Sequence, residues 1–515
     1  MKWKSDRSVG VATVVGLSVC IAVVSPSVAT EELEGPSITV ESFHLGNGME
    51  FLLVQQPSSA VVAAGWVAHV GSVNEEPGTT GLSHMLEHMM FKGSETMGAR
   101  DLEAEQKNLR QQSRVEDRLV KAYGRQRRGA SGSASNSPEI QKLEQQLTAL
   151  EQEGALYGRQ GELDVIYATN GATDVNAFTI QDMTLYLASM PEEKLELWFW
   201  LESDRLLNPI FRGFFNEKSV IRQERGLRID STPTGRVENE IRAAFWGSHP
   251  YSWPTIGVAE DLSVLRRVDA EAFYERHYPP ANLTAVLVGS LDVERTRRLA
   301  EKYFGRLKAG RRPRPVSVPV RQLEKEKRVS GRCDCRPQIQ VLYPGVAFAH
   351  EDSYALSVLA GVMNGRTGRL YRSLVLEQEI AFAAYTRVHA MRWAGYFVVM
   401  AEGKEGAGPE DLLAGWDEEL ERLIQNGIPP EELQKVQNQI RADAYRRLRE
   451  PDELRTQLML YAGLGNWESL NSGPIQVARV TAEDVIRVAR TYLKQERRAV
   501  GLFEPTTTAS PAESP

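Results

Sequence analysis

The residues most suited to chemistry lie in the stretch GLSHMLEHMMFK, residues 81–92, which carries His84, Glu87 and His88. On a helix, side chains at positions i and i+4 share a face, and position i+3 lies beside them. Both imidazoles could therefore reach a single metal ion, with the carboxylate of Glu87 next to it. The order reverses the common H-E-x-x-H zinc motif. The competing interpretation is a helix whose two histidines only pack or face solvent.

A catalytic zinc ion takes three protein ligands and keeps one position open for water, so the histidines need a third partner. The candidates lie in FFNEKSVIRQERGL, residues 214–227, where Glu217 and Glu224 are seven residues apart on one helical face. Spacing does not choose between these two carboxylates. The other one could accept the second N–H of a ligating histidine. In such a site, Glu87 is the predicted general base that takes a proton from the bound water and passes it to the leaving amine.

The elements that must position these residues follow from the hydrophobic pattern. Residues 37–53 predict two strands joined by a Gly-Asn-Gly turn, and residues 60–73 predict a buried strand directly before the histidine helix. Residues 101–157 differ in character: two stretches rich in Glu, Gln, Leu and Arg flank GASGSASNSP. This pattern predicts a helical hairpin with a flexible tip, inserted on the surface of a globular body.

An internal repeat organises the rest of the chain. VDAEAFYERHYPPANLTAVLVG, which begins at Val268, is echoed by VTAEDVIRVARTYLKQERRAVG, which begins at Val480. The repeat predicts an α+β fold of two homologous halves in tandem, each an antiparallel sheet with helices packed on it. We place the halves at 36–310 and 329–506, joined by a Pro/Arg-rich linker, 311–328. The second half reads SYALSVLAGVMNG where the first has the histidine helix, so only one half is predicted to bear metal.

The two ends of the chain have compositions of their own. Lys2, Lys4 and Arg7 precede an apolar run that ends at the small residues around Ala29. This pattern predicts a signal peptide, residues 1–29, and a periplasmic or secreted mature chain without stable membrane insertion. The alternative is an uncleaved segment that anchors the chain to the membrane. The last residues, 507–515, are predicted to be disordered.

Bulk composition excludes some classes of function. A chain of 515 residues is too long for one core. Its 61 basic and 68 acidic residues give a net charge of −7, which argues against nucleic acid as a partner. Beyond the signal segment the cysteines are Cys333 and Cys335. Two cysteines make no disulfide framework, and we interpret them as two thiols in a loop rather than a metal site or a local disulfide.

Taken together, these motifs resemble the insulinase/pitrilysin family of zinc metallopeptidases, in particular its bacterial processing-peptidase-like members. H-x-x-E-H is the signature of the inverzincins. The block GSVNEEPGTTGLSHMLEHMMFKG matches the family almost throughout. Three further segments are similar to family motifs, namely NAFT at 176–179, FNEKSVIRQE at 215–224 and HPYSWPTIG at 249–257.

The resemblance implies roles that spacing leaves open. It implies one zinc ion (Zn2+) per chain, with Glu224 as the third ligand and Glu217 as the acidic residue behind the ligands. It also implies that Asn176 and Ala177 lie on an edge strand that pairs with the backbone of a peptide substrate. The activity implied is that of a zinc metalloendopeptidase acting on peptides or unfolded segments.

One departure from the family concerns the second half. Active members carry an Arg and a Tyr, seven residues apart, that bind substrate and stabilise the oxyanion; this chain has Val375 and Phe382 there. Neither side chain can donate a hydrogen bond to a developing oxyanion. We therefore expect a homodimer, or a heterodimer with a zinc-less paralogue that carries the Arg/Tyr pair. The alternative function is a non-catalytic or partner-dependent subunit of such a complex.

Overall fold

The computed structural model describes residues 37–129, 137–348 and 350–506. The predicted signal peptide, residues 130–136 of the Gly/Ser-rich hairpin tip and the predicted disordered tail lie outside the described residues. The strands are β1 Glu41–His44, β2 Glu50–Gln55, β3 Val61–Ala68, β4 Thr173–Thr179, β5 Thr184–Pro191, β6 Leu283–Gly289, β7 Lys327–Cys333, β8 Gln338–Gly345, β9 Ala381–Ala390, β10 Gly395–Gly403 and β11 Ala499–Pro505. The helices are α1 Leu82–Met89, α2 Leu102–Gly129, α3 Pro138–Tyr157, α4 Glu162–Thr169, α5 Leu195–Leu207, α6 Phe214–Arg225, α7 Gly235–Trp246, α8 Ala259–Val264, α9 Arg267–His277, α10 Val293–Tyr303, α11 Asp352–Met363, α12 Pro409–Asn426, α13 Pro430–Arg447, α14 Pro451–Leu464, α15 Ser469–Arg479 and α16 Ala482–Tyr492.

The strands form two sheets with the same connectivity. The first has the order β1-β2-β6-β3-β5-β4, and the second has the order β7-β11-β8-β10-β9. When β1 is set aside, the two orders are identical, strand for strand. The predicted fold of two homologous α+β halves in tandem is therefore confirmed.

Each sheet contains one parallel pair, which the prediction of purely antiparallel sheets did not include. β2 pairs with β6, and β7 pairs with β11, in parallel; the other neighbours are antiparallel. In each half the last strand returns beside the first after a long run of helices. Parallel neighbours require a long crossover of this kind, which strand patterns alone do not reveal.

One helix of each half packs against the sheet of the other half. Helix α14 of the second half packs against β3 and β6 of the first sheet, and α7 of the first half packs against β7 and β11 of the second sheet. Glycine permits the close approach in both places. A Cβ at Gly65 would lie 2.8 Å from Sδ of Met459, and a Cβ at Gly501 would collide with Ile241. The two halves therefore share two apolar layers.

The prediction that Cys333 and Cys335 are two thiols in a loop is wrong, because the two residues form a disulfide. Cys333 is the last residue of β7, and Asp334 turns the chain so that the two Cα atoms are 5.2 Å apart. That separation lies within the range that disulfides allow. Within the described ranges, we find no helix with both the length and the apolar character needed to cross a bilayer.

Candidate metal centre

Helices α1 and α6 bring three potential ligand atoms together. His84 and His88 lie on one face of α1, and Nε2 of each points toward Oε2 of Glu224 on α6, at 3.8 and 3.7 Å. One ligand atom from each of the three residues lies within 4.8 Å of the others. Two imidazole nitrogens and one carboxylate oxygen are a donor set that catalytic zinc accepts, with a fourth position left for water. The residues present therefore fit a zinc ion.

Glu217 lies behind His88 rather than in the ligand group. Nδ1 of His88 donates to Oε1 of Glu217 at 2.7 Å, and Nζ of Lys92 lies 2.5 Å from Oε2. Burial would raise the pKa of Glu217, but the hydrogen bonds from His88 and Lys92 outweigh it and lower that pKa to about 2. The carboxylate thus stays ionised and fixes the proton of His88 on Nδ1. This tautomer leaves the Nε2 lone pair free for a metal.

His84 is buried and uncharged. Burial, with a smaller contribution from His88, lowers the pKa of His84 to about 3. A histidine must be neutral to bind a metal, so this environment keeps the ligand ready at any ordinary pH. Within the described part of the chain, Nδ1 of His84 has no hydrogen-bond partner. Among the described residues, a carboxylate therefore orients the ring of His88 but not the ring of His84.

Glu87 stands beside the ligand group with its own partner. Oγ1 of Thr179 donates to Oε2 of Glu87 at 2.6 Å. Burial raises the pKa of Glu87. A carboxyl group with a raised pKa can both accept and release a proton near neutral pH. The sequence interpretation missed Thr179, although it ends the NAFT motif.

The residues expected to hold substrate lie on the strand that carries Thr179. β4 is the outer strand of its sheet and pairs with β5 on one side. Asn176 is exposed, and its Oδ1 accepts the backbone N–H of Ala177 at 2.9 Å. The structure does not bring Asn176 or Ala177 into the ligand group. It places them two and three residues from the threonine that touches Glu87.

Arg228 is a second residue that the sequence interpretation missed. Its Nη1 lies 3.0 Å from Oε1 of Glu224, one helical turn away, and its side chain is 71% exposed. The guanidinium holds the oxygen of Glu224 that does not face the histidines. The i, i+4 spacing of Glu and Arg in ERGLR was the available signal.

A buried glutamate caps the histidine helix. The carboxyl oxygens of Glu75 accept the backbone N–H groups of Gly81 and Ser83, each at 2.8 Å. These donors at the start of α1 would otherwise be unsatisfied, because the first turn of a helix has no internal acceptors. Burial raises the pKa of Glu75 to about 8. The acidic residue of the GSVNE segment thus fixes the position of α1.

A second glutamate, from the inserted hairpin, caps the other ligand helix. Oε1 of Glu151 on α3 accepts the backbone N–H groups of Phe215 and Asn216 in the first turn of α6, at 2.9 and 3.2 Å. The ring of Phe215 also packs against the apolar seam between α2 and α3. The predicted surface hairpin is therefore attached to the helix that carries Glu217 and Glu224.

A buried ion pair ties the base of the hairpin to the same region. Glu105 on α2 accepts two hydrogen bonds from Arg212, at 2.7 and 3.1 Å, and both side chains are almost fully buried. Arg212 precedes α6 and also donates to three carbonyl oxygens of the loop after α1, those of Lys92, Ser94 and Met97. One guanidinium thus connects the hairpin, the end of α1 and the start of α6.

Replacing Glu105 with Ala should lower the free energy of unfolding by about 3–5 kcal/mol, because it leaves the Arg212 cation buried without its counter-ion. Denaturant unfolding measures this loss. The exposed Glu103 on the same helix provides a matched control, and Glu103→Ala should change stability by less than about 0.5 kcal/mol. Equal, small effects of the two substitutions would contradict a supporting role for the hairpin.

The two second-half positions singled out by the sequence carry no hydrogen-bond donor. Val375 packs at the edge of the second core. Phe382, at the start of β9, is 59% exposed, and the guanidinium of Arg336 lies 4.5 Å from its ring centroid.

The H-x-x-E-H motif is the signature of the inverzincin class of metallopeptidases, and here it lies on a helix in the first half of a duplicated α+β fold. Comparison with known proteins agrees. The family model described as insulinase (peptidase family M16) matches residues 50–116, and the model described as peptidase M16 inactive domain matches residues 265–440. The chain belongs to the insulinase family, peptidase family M16.

The chain is similar to known proteins over most of its length. The chain is 23% identical to the zinc protease PqqE of Helicobacter pylori over 90% of this chain and 93% of that protein. It superposes on the crystal structure of a protease from Helicobacter pylori with a TM-score of 0.76 and 22% identity, covering 91% of this chain and all of that chain. It also superposes on the periplasmic protease PqqL of Escherichia coli with a TM-score of 0.67 and 17% identity, covering 91% of this chain but 48% of that chain.

Proposed function

We propose that the chain is a zinc-dependent metalloendopeptidase that hydrolyses peptides or unfolded segments. The observation that carries this proposal is the convergence of Nε2 of His84, Nε2 of His88 and Oε2 of Glu224, with the carboxyl group of Glu87 beside them. His84, His88 and Glu224 would hold the zinc ion, whose chemistry when bound is to acidify a water and polarise a carbonyl.

The other residues of the site would manage protons and orientation. Glu87 takes the proton of the nucleophilic water and returns it to the leaving amine, and its burial favours both steps. Thr179 holds the Glu87 carboxyl group toward the site through its hydrogen bond. Glu217 keeps the proton of His88 on Nδ1.

The free edge of β4 supports a peptide as the substrate. A segment in extended conformation can pair with this edge by backbone hydrogen bonds, and such pairing selects unfolded rather than folded chains. Asn176 and Ala177 would receive the substrate backbone there, after Oδ1 of Asn176 releases the N–H of Ala177. The scissile bond would then lie near Glu87, because Thr179 on the same strand touches that residue.

A second candidate function is a subunit that cleaves peptides only beside a partner. The observation that favours it is the absence of a donor side chain at Val375 and Phe382. The preferred partner is a zinc-less paralogue that carries the Arg/Tyr pair; a homodimer is the alternative. This chain matches about half of the Escherichia coli PqqL chain. That match supports a functional unit made of two chains of this length.

The proposed location is the periplasm or the outside of the cell. The charged and apolar N-terminal segment supports export, and so does the similarity to a protein described as periplasmic. Fractionation of cells that express the full chain tests this location.

One experiment separates the candidate functions. The chain from residue 30 onward is purified, its zinc content is measured by mass spectrometry, and cleavage of a quenched fluorescent unfolded peptide is followed with and without the zinc-less paralogue. One zinc per chain with cleavage in either mixture supports the proposal, and dependence on the paralogue identifies the partner. A chain that binds no zinc in either mixture overturns the proposal. Zinc binding without cleavage in both identifies a non-catalytic subunit.

A further inference from the structure

The second half contains a cavity at the place that corresponds to the metal centre of the first half. Helix α11 follows β8 as α1 follows β3, and α13 is the second helix after β10 as α6 is the second helix after β5. A cavity of about 200 Å³ lies where α11 and α13 meet α14 and α15. Tyr354, the third residue of α11, lines it, whereas the third residue of α1 is the ligand His84. At the position equivalent to the metal centre, the second half thus has a recess with a different lining.

Most of the cavity wall is apolar. Its main apolar lining residues are Phe348, Ile440, Leu470, Pro474 and Val477. An apolar cavity of roughly 150 Å³ can hold a benzene molecule, so this one has room for a side chain of the size of Leu or Phe. Ligand sites commonly combine such a wall with a few polar groups that fix orientation.

Three polar groups that line this cavity are donors without partners. Within the described residues, the hydroxyl groups of Tyr354 and Tyr461 and the guanidinium of Arg447 make no hydrogen bond or ion pair, and no carboxylate lines the cavity. The three groups are near one another. Burial raises the pKa of Tyr461, the Tyr354 hydroxyl adds to that effect, and the Arg447 guanidinium opposes it. The ring of Tyr461 packs on Phe348 with centroids 4.8 Å apart, so this donor end adjoins the apolar wall.

We propose that this cavity binds an apolar carboxylate, namely the C-terminal residue of a peptide, with its side chain against the apolar wall and its carboxylate on Arg447, Tyr354 and Tyr461. A guanidinium is the donor best matched to a carboxylate, because it can donate two parallel charged hydrogen bonds. The ligand supplies the negative charge that the wall lacks. This binding requires no metal, so it stands or falls separately from the proposed peptidase activity.

The test uses the chain from residue 30 onward, free of metal, and ligand-observed NMR titration. The probes are N-acetyl-Ala-Ala-Leu as the free acid, the same tripeptide as its C-terminal amide, and hexanoate. The free acid should bind at least 10-fold more tightly than the amide, because the charged hydrogen bonds are lost in the amide. Tighter binding of the tripeptide than of hexanoate identifies a peptide C-terminus as the ligand, and equal binding identifies free carboxylic acids of the same chemistry.

Two variants probe the two ends of the cavity. Arg447→Gln should weaken binding of the free acid about 10–100-fold. Arg446→Gln changes a neighbour on the same helix that is exposed like Arg447 but does not line the cavity, and it should leave binding unchanged. Gly473→Leu fills the cavity and should abolish binding. A Cβ at Gly473 would meet only Tyr354, at 3.9 Å, so the folded chain has room for this substitution.

The proposal fails if the acid and the amide bind equally, if neither binds, or if Gly473→Leu binds as the wild type does. A thermal melt of each variant shows that it is folded, and Gly473→Leu should melt no lower than the wild type because Gly is a poor helix former. Zinc content, measured on the same preparations after metal is added, should be equal in all variants. A failure of peptide cleavage with normal probe binding would therefore count against the peptidase proposal alone.

Discussion

Replacing Glu87 with Gln should reduce peptide cleavage by about 10²–10⁴-fold, the usual contribution of a general acid–base group, while one zinc ion per chain is retained. The amide cannot take a proton from water, but it leaves both histidines and Glu224 in place. Because Thr179 donates to Glu87 Oε2, the hydrogen bond survives if the amide oxygen takes that position. Cleavage of the quenched fluorescent peptide, together with zinc content, measures both quantities on one preparation.

The control for this substitution is Glu95→Gln, which changes an exposed glutamate in the loop after the same helix and should leave cleavage unchanged. Two results would count against the assigned role. If the Glu87 variant loses its zinc, then Glu87 is a ligand. If it cleaves as fast as the wild type, then another group moves the proton.

The second large effect distinguishes Glu224 from Glu217. Glu224→Ala should weaken zinc binding by more than about 100-fold, because it removes one of three ligands. Glu217→Ala should weaken it by about 10–100-fold, the usual effect of losing the partner of a ligating histidine. The geometry gives the reason: Oε2 of Glu224 faces both Nε2 atoms, whereas Glu217 holds Nδ1 of His88 and Lys92.

Competition with a chromogenic chelator measures both affinities. Gln223→Ala is the matched control, since Gln223 is exposed on the same helix, next to Glu224. If the Glu217 variant binds zinc more weakly than the Glu224 variant, the two assignments are reversed. If neither substitution changes the affinity, the ion is not held between α1 and α6.

The fold was predictable from sequence to the extent that it repeats. Echoed segments gave two homologous α+β halves, and the two Glu/Gln/Leu/Arg-rich stretches of 101–157 gave a helical hairpin. Its apolar seam, which contains Ile140, Leu143 and Leu147, is buried. The parallel pair in each sheet was not predicted, because a strand pattern does not say which neighbour a returning strand will take. The exchange of α7 and α14 between the halves was not predicted for the same reason. Helix periodicity reveals an apolar face, but not the sheet that covers it.

The Cys333–Cys335 disulfide and the hairpin show a similar limit. The sequence shows two cysteines separated by one residue, but the turn at Asp334 that brings them together belongs to the end of β7. It shows a polar pair of helices, but not that Glu105 and Glu151 reach Arg212 and the first turn of α6. Contacts between residues about 60 to 110 positions apart depend on packing, which local patterns do not encode.

The sequence by itself determined which residues share a helical face: His84 with His88, and Glu217 with Glu224. Covalent geometry and the 3.6-residue turn fix those relations before any tertiary contact forms. Only the tertiary structure decided how the two helices face each other, and so which glutamate oxygen meets the histidines and which residue holds Glu87. The reason is that α1 and α6 are more than 120 residues apart, and buried caps, an ion pair and apolar packing far from both motifs set their relative position.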